Sequence, residues 1–178
     1  MGLSLIRVGG FGWANEFGLI LPSLGLVYAV THRGSILCFD AKDGYSRRSR
    51  RSKVKILAPK TDPPTFSKRE YLVKSSSGGD LFYVQRNLDL TLQHTNHFKV
   101  YKLRLDEQSG EVMDCIEVKS LGGDLFFVGT DYSMSVSIST AAKFPGYQPN
   151  FIYFTPDYFE AGVFSESYRP LDVGVFNV

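Results

Sequence analysis

GSILCF at residues 34–39, GDLFYV at 79–84 and GDLFFV at 123–128 are three copies of one phrase. Their leading glycines, Gly34, Gly79 and Gly123, stand 45 and 44 residues apart. Each copy reads as a glycine turn feeding a short strand that carries alternating apolar residues. The last two copies extend to GGDLF at 78–82 and 122–126. A supersecondary unit repeated at this period is the mark of a β-propeller blade or a similar array, and it divides 178 residues into roughly four units.

Composition agrees with an all-β chain. Ten Tyr and 14 Phe suit pleated, half-buried surfaces, and 17 Gly with 8 Pro suit many turns. Strands are expected at Leu26–Thr31, Ser35–Asp40, Val54–Ala58, Tyr71–Ser75, Leu81–Arg86, Phe98–Asp106, Val112–Val118, Leu125–Val128, Ser133–Ser139, Phe151–Thr155 and Asp172–Val178. No segment has the period of an amphipathic helix. The strand at Phe98–Asp106 slips by one from Val100, which suggests a bulge. SMSVSIS at 133–139 alternates serine with Met134, Val136 and Ile138. Its apolar residues are expected inside and its serines outside. The fold class is an all-β, β-propeller-like repeat array, incomplete, with three to four blades and about eleven strands. Residues 1–26 do not fit the repeat and read as a divergent N-terminal segment, with the partial propeller over 27–178. Open strand edges are expected at Tyr101, Val112 or Phe151.

Charge is unevenly spread. The formal net charge is +2, yet residues 45–69 hold nine basic residues and one acid, Asp62. Three readings of the Arg47–Lys55 cluster stay open: a nuclear localisation signal, a contact to an acidic partner or nucleic acid, and a solvated loop. Nucleic acid is disfavoured because only Tyr45 flanks the cluster for stacking. Arg47, Arg48, Arg50 and Arg51 are expected to be exposed and poorly ordered. No stretch reaches the ~20 apolar residues that span a bilayer, so no membrane role is expected. Two cysteines, Cys38 and Cys115, are too few for a disulfide-built fold and read as reduced core residues of a cytoplasmic or nuclear protein.

The chemistry-bearing motifs are weak. Gly10-Phe11-Gly12 lacks the third glycine of a dinucleotide turn, since Asn15 stands there and Pro22 stops any helix. His94 and His97 have no cysteine nearby for a zinc shell and read as part of a loop. Cys38 and Cys115 sit among apolar neighbours without a base. Asp40, Asp80, Asp124, Asp131 and Asp157 are explained by turn chemistry. No catalytic, cofactor-binding or metal-ligating residue is expected, and no cofactor.

From about Val27 to Val178 the chain resembles the β-propeller domain of plant F-box proteins of the kinase-interacting (KIB-type) family. The likeness rests on VYAVTHRGSILCFD at 27–40, YLVKSSSGGDLFYVQR at 71–86, FKVYKLRLDEQSGE at 98–111, SLGGDLFFVG at 120–129, SVSIS at 135–139, NFIYFTPD at 150–157 and DVGVFNV at 172–178. It implies a non-catalytic protein-interaction module, the substrate-recognition half of a ubiquitin-ligase adaptor, with a shaggy-like kinase as the protein partner. Such proteins recruit a Skp1-type adaptor through an F-box, for which residues 1–178 show no counterpart, so that contact is not expected here. The alternatives are a sugar- or metabolite-binding propeller, which paired inward carboxylates would favour, and a fragment without independent function.

Overall fold

The computed structural model describes residues 5–7, 17–21, 25–30, 34–40, 55–57, 68–77, 79–89, 94–129, 133–137, 145–155 and 172–178. Among these residues every regular element is a strand. The first sheet runs β1 (Leu5–Arg7), β2 (Phe17–Leu21), β3 (Leu26–Val30), β4 (Ile36–Asp40) and β5 (Lys55–Leu57), each antiparallel to the next. Thus β1 and β2, from the N-terminal segment, join the sheet that carries the first copy of the phrase. The second sheet is a plain meander of β6 (Lys68–Lys74), β7 (Leu81–Asp89), β8 (His94–Leu105) and β9 (Val112–Val118). The third contains β10 (Asp124–Val128), β11 (Ser133–Ser137), β12 (Phe151–Phe154) and β13 (Gly174–Asn177) in the order β11-β10-β12-β13. There β10 and β12 run parallel, and the other two pairings are antiparallel.

The second sheet lies between the other two and is apolar on both faces. Tyr71, Val73, Phe82, Val84, Phe98 and Val100 pack against Phe126, Val128, Ile152 and Phe154 of the third sheet. The alternate residues Leu72, Leu81, Tyr83 and Leu103 pack against Tyr28, Ile36 and Cys38 of the first. A strand covered on both sides has no polar face, and this explains the slip seen at Val100. Pairing of β8 with β7 is unbroken from Phe98 to Leu103, so no bulge lies there. Phe98 and Val100 serve one cluster, and Leu103, with Tyr101 beside it, serves the other. The true irregularities fall between Asn87 and Leu88 and between Arg104 and Leu105. Among the described residues the three sheets form an open series, a β-propeller-like array that does not close into a ring.

The phrase that repeats in sequence does not repeat in position. Its first copy forms β4, fourth of five strands; its second forms β7, second in its meander. Its third forms β10, which opens the third sheet in chain order but lies second across it. The copies share a local need, a glycine turn into a buried strand, and the sheets use that piece differently. At Gly34 the glycine has φ 74°, and an added Cβ would lie 3.0 Å from the Tyr83 hydroxyl and 3.3 Å from Glu70 Oε1.

Candidate interaction surface and its scaffold

Serine in β11 takes the opposite face from the one expected. Ser135 is buried, and Met134 is exposed. The hydroxyl of Ser135 donates to the carbonyl of Lys74 at 2.6 Å, and that of Ser133 donates to the carbonyl of Leu72. β6 is the edge of its meander, and an edge carries a row of unpaired backbone groups. Two serines in alternate positions of β11 answer two alternate carbonyls of that row. Ile138 and Ser139 lie outside the described residues.

Buried polar side chains elsewhere also join sheets. Asp124, expected in a turn, begins β10 and is fully buried. Its carboxylate accepts from the Ser75 hydroxyl at 2.6 Å, the Ser76 amide at 3.1 Å and the Ser76 hydroxyl at 3.2 Å. The third sheet thereby grips the turn between β6 and β7. Asp80, the matching residue of the second copy, instead pairs with Lys102 at 2.7 Å on the surface. Asp40 ends β4, and Asp131 and Asp157 lie outside the described residues.

Arg86 of β7 is 1 % exposed and lies over the ring of Phe154, 4.7 Å from its centre. Its guanidinium donates to Thr95 Oγ1 at 2.7 Å, the Thr155 carbonyl at 2.8 Å and Asp172 Oδ2 at 2.7 Å. Thr95 also donates to Asp172 at 2.7 Å. Burial alone would raise the Asp172 carboxyl, but the hydrogen bonds from Thr95 and Arg86 hold it below its ordinary value. Arg86 and Asp172 are 86 residues apart, so no local motif announces the pair. Asn150, at φ 64°, adds a further tie. Its side chain accepts from the Leu121 amide at 2.8 Å, and its own amide donates to the Asp124 carbonyl at 2.9 Å.

The remaining sequence candidates are scattered. His94 and His97 lie within β8, not in a loop: a strand continues there because they pair with Asp89 and Asn87 across β7. Cys38 is buried and Cys115 half-buried, neither in a disulfide, and burial pushes the Cys115 thiol up to about 11. A thiol so shifted is protonated near neutrality and a poor nucleophile. Tyr28, beside Cys38, donates to the Gly110 carbonyl, and burial pushes its hydroxyl above its ordinary value. Gly10-Phe11-Gly12, Asn15, Pro22 and residues 45–54 of the basic stretch lie outside the described residues.

Among the described residues, exposed apolar side chains gather in two places. On β9, the outer edge of the second sheet, Met113 is 61 % and Ile116 47 % exposed. Met113 is the extra residue where Arg104 pairs with Asp114 and Leu105 with Val112. A bulge of this kind re-aims a side chain. Tyr101, Val112 and Phe151, expected at bare edges, are half-buried. Tyr101 and Val112 pack onto the core, because their face of the second sheet meets the first. The second surface is a row across the third sheet, where Met134, Phe127, Tyr153 and Val175 stand in register. Tyr147 joins it, its ring 5.6 Å from Phe127 and 5.1 Å from Tyr153.

Residues 18–177 match the family model described as the KIB1-4 β-propeller, and the chain belongs to that family. No curated protein and no solved structure matches it.

Proposed function

We propose that this member of the KIB1-4 β-propeller family is a non-catalytic protein-interaction module, the substrate-recognition half of a plant F-box-type ubiquitin-ligase adaptor. The observation that carries the reading is the edge of β9, which no strand covers among the described residues. Among the described residues it offers a row of backbone groups without strand partners, beside two exposed apolar side chains, Met113 and Ile116. An extended segment of a partner can add to such an edge, with main-chain bonds giving affinity and side-chain contacts giving selectivity. The buried polar groups described above support the same reading, because they hold sheets together. By resemblance the partner is a shaggy-like kinase. The domain works in the cytoplasm or nucleus; among the described residues no helix is long and apolar enough to cross a membrane.

The test is binding of the full chain to a purified shaggy-like kinase, followed by biolayer interferometry. Saturable binding is expected. Met113→Lys with Ile116→Lys should weaken it about tenfold or more, as loss of an anchoring residue does, with the melting temperature unchanged. Absence of binding by the wild-type chain overturns the partner, and undiminished binding by the double variant overturns the β9 surface.

A further inference from the structure

The turn between β6 and β7 reads SSSGGD at residues 75–80. Ser75 is buried, whereas Ser76 and Ser77 are exposed. Ser76 nevertheless reaches inward. Its hydroxyl donates to Asp124 Oδ1 at 3.2 Å, and its amide donates to Asp124 Oδ2 at 3.1 Å. The Ser75 hydroxyl donates to the same Oδ2 at 2.6 Å. Asp124 itself has no exposed surface. A buried charge is costly unless it is paired or hydrogen-bonded. Among the described residues no cation pairs with Asp124, so its charge rests on neutral donors from two neighbouring serines.

The second copy of the phrase is built otherwise. Its matching residue, Asp80, lies at the surface against the Lys102 ammonium. Asp80 has solvent and a cation to offset a further negative charge nearby; Asp124 has neither. Ser76 therefore shows one side to solvent and holds a buried carboxylate with the other. A phosphoserine carries about −1.5 to −2 charge near neutrality, and beside an acidic side chain it disrupts by like-charge repulsion. On Ser76 it would also remove the proton that Oγ gives to Asp124.

We propose that Ser76 is a phosphorylation site, and that a phosphate there releases the β6–β7 turn from the third sheet. A serine/threonine kinase would transfer the γ-phosphoryl group of a nucleoside triphosphate. The bond from Ser76 Oγ to phosphorus forms, the bond from that phosphorus to the departing nucleoside diphosphate breaks, and the hydroxyl proton passes to a base of the kinase. Ser75 is buried away from such an enzyme. Ser77 is exposed, but its hydroxyl contacts Ser75 Oγ at 3.2 Å and not Asp124, so a phosphate there leaves the three bonds to Asp124 in place. The inference is independent of what binds at β9.

Phosphopeptide mapping of the full chain isolated from plant cells should find phosphate on Ser76. Phosphoserine encoded at position 76 during synthesis should lower the melting temperature by about 4 °C or more, the scale on which a lost buried interaction moves a domain of this size. It should also quicken amide exchange in β10. Phosphoserine at position 77 should shift the melting temperature less. In Asp124→Asn, whose neutral amide does not repel phosphate, phosphoserine at position 76 should cost little further; this comparison also decides the matter if the phosphorylated wild-type chain fails to fold. Absence of phosphate from Ser76 in maps that cover the turn overturns the site. An unchanged melting temperature, or an equal loss in Asp124→Asn, overturns the release.

Discussion

Arg86 is the residue whose loss should matter most. Replacing it with methionine leaves the half-buried Asp172 carboxylate beside Thr95 without its cation. Removing one member of a fully buried pair costs about 3–5 kcal/mol; with Asp172 half-buried, urea unfolding of Arg86→Met should show a loss at or below the lower end of that range. Asp172 gives the pH dependence its sign. Its folded-state pKa is depressed, so its contribution is present above the ordinary carboxylate range and is lost as the pH falls through the folded value. The wild type should therefore lose stability on acidification more steeply than Asp172→Asn. Glu70 acts in the opposite sense. Burial pushes its carboxyl up to about 7, against the pull of Arg69 and Lys68. The folded chain then holds a proton that the unfolded chain releases, and stability falls as pH rises between the two values. Glu70→Gln should be more stable than wild type at pH 8, and the two should converge in mild acid; melting curves at both pH values check this.

Among the elements, β11 gives the clearest lesson. Its alternation was legible, but its polarity was not, because sequence patterning assumes that a serine seeks water. Here buried Ser135 and half-buried Ser133 meet the carbonyls of β6, whose edge no sequence pattern announces. Ser133→Ala with Ser135→Ala should cost roughly 1 kcal/mol per lost bond, and should speed amide exchange where β6 and β11 meet. The hairpins β3–β4 and β6–β7 could be read directly, since their turns and strands lie within a few residues of each other. The meander of the second sheet could be read for the same reason. The ties at Arg86, Asp124 and Asn150 could not, because their partners are brought near only by the packing of whole sheets. The order of the third sheet was equally hidden, since β12 pairs parallel to β10 across residues 129–150. Gly174 belongs with these long-range constraints. A Cβ there would lie 2.6 Å from the ring of buried Phe154. Gly174→Ala should lower stability by about 1–3 kcal/mol, the usual cost of overpacking.

For the whole molecule, the position of the second sheet predicts cooperativity. Its two faces contribute to both apolar clusters, so neither neighbour can detach without baring one of them. Far-ultraviolet and aromatic circular dichroism should report coincident thermal transitions, as a two-state unit requires. Separate transitions for backbone and aromatic signals would show that the sheets melt independently.

The order of the third sheet also sets a timetable. A ribosome delivers the chain from its N-terminus, and a meander such as the second sheet can zip up hairpin by hairpin as it emerges. The third sheet cannot: β10 must wait for β12, and Arg86 must wait for Asp172, which is made 86 residues later. Non-local pairing of this kind is slow. Until Asp172 and β13 leave the exit tunnel, Phe82, Val84 and Phe98 have no complete cover. The nascent chain is thus most in need of a chaperone late in its synthesis. Pulse-labelled hydrogen exchange during refolding should find the amides of β6, β7 and β8 protected before those of β12 and β13.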